Sequence, residues 1–203
     1  MSVGPALFGG AGATGPVALN PADKNANISL ALSGSNLIAE KVTSDGTVSI
    51  RATRGIASTD SGYFEVYVLQ GAVSTFMAVG LSTTSLSTAN YAGFDTNSWG
   101  YYQDTGQKVT NGVFSAHGTS WKVNGDVVMV AFKNGSLWFG KNGTWVGNPA
   151  ANTGAAFTGI TGTLYPTLCP HRGSTAPDHR LAFRPHAAVC SYAAPSGFNY
   201  WQY

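Results

Sequence analysis

The sequence predicts an all-β fold, a two-sheet antiparallel β-sandwich, on three observations. Short runs of alternating apolar and polar residues recur from Asn27 onward, bounded by Gly, Asn, Ser and Pro. No window longer than about ten residues carries the 3.6-residue apolar period of a helix. Two Asn-Gly pairs, Asn134-Gly135 and Asn142-Gly143, bracket the segment Ser136-Leu137-Trp138-Phe139-Gly140-Lys141. Asn-Gly fills both central positions of a type I′ turn, where φ is positive and the twist matches paired strands. The bracketed segment is therefore a strand with a hairpin turn at each end.

The elements follow in order. Residues 1–18 form a Gly-rich N-terminal arm with five Gly and two Pro, and they support neither a helix nor a strand of normal length. Two readings stand for this arm: a solvated tail, or a segment that docks Leu7 and Phe8 into a neighbouring subunit. Residues 19–203 form the sandwich. NISLAL and NLIAEKV are short strands split by Ser33-Gly34-Ser35, and TVSIRATRGI continues the alternation. GYFEVYVL points Phe64, Val66 and Val68 inward and Tyr63, Glu65 and Tyr67 outward. FMAVGLS comes next, and residues 82–98 are a long polar loop. WGYYQ, VFSAH, DVVMVAFK, SLWFGK, GTLYPTLC and HRLAFR supply the remaining strands.

Composition narrows the function. Charged residues make up only 10% of 203 residues, and the net charge is +2. Polarity comes instead from Ser, Thr, Asn and 26 Gly. The Lys and Arg residues are scattered, which argues against a nucleic-acid surface. No run approaches the roughly 18 apolar residues of a membrane helix. The first twenty residues lack a basic n-region, so the expectation is no signal peptide and assembly in the cytoplasm. Cys169 and Cys190 sit outside any metal-binding spacing and read as buried free thiols, with a disulfide open as the alternative.

Seven pieces, in order, resemble the SPRY family of β-sandwich modules. They are Tyr63-Phe64-Glu65-Val66; Val79-Gly80-Leu81; Trp99-Gly100-Tyr101 with Gly106; and Gly125-Asp126-Val127-Val128. The run Leu137 to Gly143, Leu164-Tyr165-Pro166, and Pro195-Ser196-Gly197-Phe198 complete the set. Met129 and Lys133 stand where the family often has Gly and Asp, and Ala182-Phe183-Arg184-Pro185 replaces its late Asn-Phe-Gly. The resemblance implies a concanavalin-type jelly roll over residues 60–200, with a ligand face in loops at one end. The lead-in LNPADKNANISLALSGSNLIAEKV followed by IRATRGI resembles SPRY proteins encoded by bacteriophages and prophages.

Catalytic constellations are wanting. Asp95 and Asp104 lie in loops with nothing to set the separation glycosidase chemistry requires. His171, Asp178 and His179 lack a helical spacing that would aim them at a metal, and they read as solvated loop residues. Gly9-Gly10-Ala11-Gly12 follows no strand and opens no helix, so it is not a phosphate loop. The expectation is no enzyme, no metal and no cofactor.

Binding is better supported. Asn90, Tyr91, Phe94, Asp95, Asn97 and Tyr102 gather aromatic and amide groups in and beside one loop, a mix suited to a carbohydrate or protein surface. Trp99 and Tyr101 are either part of that surface or core residues. Trp201 and Tyr203 run past the family's end and read as an exposed subunit interface, compatible with a homo-oligomer. The expected function is a phage virion structural or adhesion module, a decoration, fibre or spike protein. Its arm would contact other virion proteins and its loops would face host surface glycan or protein. The alternative is a soluble module that binds a host peptide or protein inside the infected cell.

Overall fold

The computed structural model describes residues 16–30, 35–42, 46–71, 77–171 and 179–201. Leu7, Phe8, Asp178, Tyr203 and most of the arm lie outside them. Two antiparallel sheets face each other. The first has the order β1 (Leu19–Lys24), β4 (Ile50–Ala52), β14 (Thr163–Cys169), β7 (Ala78–Ser82), β8 (Ser98–Tyr102), β9 (Lys108–Thr110) and β10 (Val113–Ser115), with β5 (Ile56–Ala57) also paired to β14. The second runs β13 (Thr144–Trp145), β12 (Ser136–Lys141), β11 (Val127–Lys133), β6 (Ser61–Gln70), β15 (Arg180–Arg184), β3 (Ile38–Lys41) and β2 (Ile28–Leu30). The all-β sandwich expected from the alternation is the fold observed.

The Asn-Gly turns set the hairpin registers. Asn134 and Gly135 have φ of 47° and 71°, and they close β11 onto β12 with Lys133 opposite Ser136. Asn142 and Gly143, at 50° and 83°, join Lys141 to Thr144. A third such turn, Asn111-Gly112 at 52° and 69°, joins β9 to β10. All three are the left-handed pair that a two-residue hairpin loop needs.

Between the sheets, Phe64, Val66 and Val68 of β6 meet Val79 and Leu81, Leu164 and Leu168, and Phe139 in one core. Each such side chain stabilises the fold by roughly 1.5–3 kcal/mol. Tyr101 stacks on Phe139 with ring centroids 5.2 Å apart, and Trp99 is packed against the same core. Of the two alternatives for this pair, the core is the one the structure takes. Val17 is buried, and Ala18 bonds to Thr53 through both backbone groups, so the sandwich begins just inside the expected arm.

Several residues depart from expectation. Tyr63 and Glu65 do point away from the central core, yet both are fully buried. Residues 185–200 run as a strap over that outer face and pack Phe198 against Trp138, with Cys190 and Tyr192 beside them. Trp201 is fully buried, not an exposed interface, because the strap ends by turning its indole into the main core. Cys169 lies on the outer face of the first sheet and Cys190 within the strap over the second. They stay free thiols, both pushed by burial to about 12. His179 is fully buried rather than solvated, with the half-buried His171 ring 6.3 Å away.

His117 lies edge-on to Tyr101 and Phe139, and its Nε2 has no partner among the described residues. Burial holds its imidazole down at about 4, from an ordinary 6.5, and the Lys108 charge adds in the same direction. The unfolded chain therefore takes up this proton first. The stability tied to the neutral ring is complete above about pH 6.5 and is lost as pH falls towards 4. Because water reaches part of the ring, the expected loss is about 1–2 kcal/mol. Urea midpoints at pH 7 and pH 4 should show it, and His117→Phe should flatten that part of the slope.

Candidate functional site

The connection between β7 and β8, residues 83–97, does not project into solvent. It folds flat onto the outer face of the first sheet, and its own ends are joined where Thr83 N–H donates to Asn97 O at 2.9 Å. The sheet beneath is built from small side chains. Ala78, Gly80 and Ser82 line β7, Ser98 and Gly100 line β8, and Thr167 and Cys169 continue the floor on β14. A Cβ on Gly100 would stand 2.0 Å from Ala92 O, so only glycine allows this approach. Ala92 and Cys169 are buried against Ala78, and Ala92 N–H donates to Cys169 Sγ at 3.0 Å. Gly93 N–H donates to Ser98 Oγ at 2.9 Å, and the Gly93 φ of +102° is reachable at low cost only without a side chain.

The far side of the loop is tied to the β9–β10 turn. Asn111 N–H donates to Asp95 O at 3.1 Å and Gly112 N–H to Gly93 O at 2.9 Å. On the near side, the Arg51 guanidinium reaches Leu86 O at 2.8 Å.

This seating arranges four aromatic rings on one surface. Tyr91 stands edge-on to Phe94 at 5.6 Å and tilts against Phe114 at 6.3 Å, while Tyr102 meets Phe114 edge-on at 5.2 Å. Phe94 is 46% exposed, unusual for a ring so well packed, and the other three are half-buried. Burial raises the Tyr91 hydroxyl, with Cys169 adding, and raises that of Tyr102, with Asp104 and Tyr91 adding. Both phenols remain protonated donors near neutral pH.

Of the six loop candidates, Tyr91, Phe94 and Tyr102 come together. Asp95 and Asn97 do not join them at the surface. The Asp95 carboxylate accepts from Asn97 N–H at 2.9 Å and Ser98 Oγ at 3.1 Å, and Asn97 Nδ2 donates back to it at 3.2 Å. That is a turn locked by its own side chains. Asn90 is half-buried, with its N–H donating to Ser87 O. Asp104 pairs with Lys122 at 2.7 Å, away from any second carboxylate role.

Phe114 was missed by sequence reasoning. The signal was there: the Asn111-Gly112 turn sets Phe114 opposite Val109, whose own neighbour is Gly100 on the floor.

β10 is the last strand of its sheet among the described residues. In a two-residue hairpin the residues flanking the turn exchange both hydrogen bonds, so Val113 and Ser115 bond inward to Thr110 and Lys108. The backbone N–H and C=O of Phe114 are left facing the open edge.

Elsewhere, an open hollow of about 470 Å³ is lined by Ile56, Thr59, Asp60, Ser61, Lys133, Asn134 and Asn199. Its charged groups are already engaged: Asp60 Oδ2 accepts from Ala57 N–H at 3.0 Å, and Lys133 Nζ donates to Gly197 O at 3.1 Å. Among the described residues no group of three His, Cys, Asp or Glu side chains is placed to hold a metal ion, and no helix is long and apolar enough to cross a membrane.

Comparison with known proteins agrees with this architecture. Residues 61–177 match the SPRY domain family. A Ran-binding proteins 9/10 homolog of Drosophila melanogaster is 29% identical over 109 residues, which are 52% of this chain and 10% of that protein. The chain thus spans about a tenth of the length of that relative. Among solved structures, the SPRY domain of human HERC1 superposes with a TM-score of 0.64 at 18% identity, covering 82% of this chain and 96% of that one. A second human SPRY domain gives 0.63 at 20% identity, covering 79% and 96%. Stonustoxin gives 0.59 at 15% identity, covering 83% of this chain and 27% of its own. With more than half of its residues matched and the same sandwich in solved relatives, the chain belongs to the SPRY domain family.

Proposed function

We propose that this chain is a non-enzymatic binding module that grips an extended segment of a partner protein on the face formed by Tyr91, Phe94, Tyr102 and Phe114. SPRY domains are protein-interaction modules. The observation that carries the reading is a packed aromatic cluster lying beside the unpaired edge of β10. Aromatic rings give large contact area with few rotamers to lose. The Phe114 backbone groups offer the start of a strand addition, in which main-chain bonds give affinity and side-chain pockets give specificity. Natural edge strands are usually protected by charge, Pro or a bulge. Val113-Phe114-Ser115 has neither charge nor Pro and pairs with β9 in unbroken register.

The test is a selection of peptides from a random displayed library on the full chain. Selected peptides should lose roughly 5- to 150-fold in affinity on Tyr91→Ala or Phe94→Ala, the effect of truncating a binding hot spot. Peptides that bind both variants as well as the parent would place the site elsewhere.

For the setting, our reading is a phage particle, with the chain as a decoration, fibre or spike component facing host surface glycan or protein. A charge content of 10% and a hydroxyl-rich composition support it, as does the phage-like lead-in. Residues 1–15 would contact other virion proteins. Gradient sedimentation of a native-source lysate tests this. Co-migration with large particles through a salt wash is the expected result. A species near 21.0 kDa at the top of the gradient would favour a soluble module that binds a host peptide inside the infected cell.

A further inference from the structure

We propose that Arg51 and Asp23 are positioning residues for the aromatic face, so that the lead-in ahead of the family-matched segment belongs to the binding apparatus. The inference rests on the reading of that face as the binding surface. Arg51 sits on β4 opposite Thr167, with its side chain on the loop-covered floor, and it is 4% exposed. Its guanidinium works as a two-sided fork. Nε donates to Asp23 Oδ2 at 2.7 Å and Nη2 to Asp23 Oδ1 at 2.6 Å, a bidentate pair with β1. Nη1 turns the other way and donates to Leu86 O at 2.8 Å, with Thr83 O at 3.4 Å.

A second tie from the same segment supports the first. Ser49 N–H donates to Thr88 O at 2.9 Å, and Ser49 O accepts from Asn25 N–H at 3.1 Å. The first half of the loop is therefore pinned at residues 83, 86 and 88 from residues 49 and 51, and those are braced in turn by residues 23 and 25. All four bracing residues precede residues 61–177. The second half, with Tyr91 and Phe94, is pinned separately by Ser98, Cys169 and the β9–β10 turn. If the first set of ties is lost, the loop keeps its far anchor and loses its near one, and the rings lose a fixed height above the floor.

The chemistry requires arginine. A planar five-donor fork can serve a carboxylate and two carbonyls at once, whereas a lysine ammonium is a point donor that reaches one side or the other. Asp23 compensates the charge that Arg51 carries into a dry site, and at 26% exposure it tolerates replacement better.

The experiment is hydrogen–deuterium exchange on the full chain, comparing residues 83–97 with the β11–β12 hairpin, residues 127–141. Arg51→Lys is expected to speed exchange in 83–97 at least tenfold while 127–141 stays protected. Asp23→Asn should repeat the pattern more weakly, which covers the case of a poorly folding Arg51 variant. A library peptide whose affinity depends on Tyr91 should bind about tenfold more weakly to Arg51→Lys, in proportion to the fraction of loop still seated. Unchanged exchange in 83–97, or equal loss in both segments, would overturn the proposal. Loop-selective loosening together with peptides indifferent to Tyr91→Ala would leave the positioning role standing and remove the binding reading.

Discussion

Trp201→Ala should cost about 3–5 kcal/mol of stability, the usual range for deleting a large aromatic from a core. The indole is fully buried and edge-on to Phe64, with centroids 5.4 Å apart at 89°. Its Nε1 donates to Arg54 O at 3.1 Å, and its backbone N–H donates to Tyr63 O at 2.9 Å. Gly62 is the matching hollow, since a Cβ there would lie 2.4 Å from Trp201 Cε3. Removing the ring leaves a cavity beside β6, orphans a carbonyl and frees the end of the strap. Urea denaturation of Trp201→Ala against the parent measures it. A loss below about 1 kcal/mol would mean the ring contributes little to the core.

Glu65→Ala should cost a similar amount, about 3–5 kcal/mol, through a different mechanism. This carboxylate is fully buried in the middle of a strand. It accepts from Tyr63 Oη at 2.6 Å, Ser191 N–H at 2.6 Å and Tyr192 N–H at 2.8 Å, with Arg184 Nη1 4.0 Å away. Burial is the main cause that raises the Tyr63 hydroxyl, with Glu65 next, so the phenol stays a donor to the carboxylate. Alanine would strand all three donors under the strap. Tyr63→Phe removes one donor and leaves the acceptor partly served, so it should cost only about 1 kcal/mol. Comparing the two by thermal unfolding separates the latch from simple packing, since equal losses would argue that Glu65 is not the centre of it.

Both residues show where the sequence was legible and where it was not. Alternation along Phe64, Val66 and Val68 identified the core face of β6 correctly, because that pattern reports which side of a pleat is dry. It also marked Tyr63 and Glu65 as outward, and it carries no information on whether a later segment covers that side. The strap comes from residues 185–200, more than a hundred positions away, and its irregular backbone has no period to read. Trp201 was misread for the same reason: an aromatic past the last strand looks surplus until the chain is seen to turn back into the core.

The Asn-Gly pairs were readable because positive φ is a local requirement with a local solution. The β1 strand was not, since Pro21 and its polar neighbours give Leu19–Lys24 no apolar alternation. In the loop, Tyr91, Phe94 and Tyr102 could be named from composition, but their packing with Phe114 depends on how 83–97 lies over the sheet. Asp95 and Asn97 look like ligand groups by type and are consumed by their own turn. Arg51 and Asp23, 28 positions apart in sequence, show no pattern that would couple them.

The way residues 83–97 are fastened bears on how such a surface changes over generations. Nearly every bond that seats the loop uses its main chain: the carbonyls of Thr83, Leu86 and Thr88, and the amides of Ala92 and Gly93. Main-chain atoms are the same whatever side chain they carry. The exposed positions Thr84, Ser85, Ala89 and Thr96 supply no side chain to this seating, so substitutions there should leave the loop in place and the scaffold's stability almost untouched. Mutational tolerance and the capacity for new partners thus overlap on the exposed side of this loop.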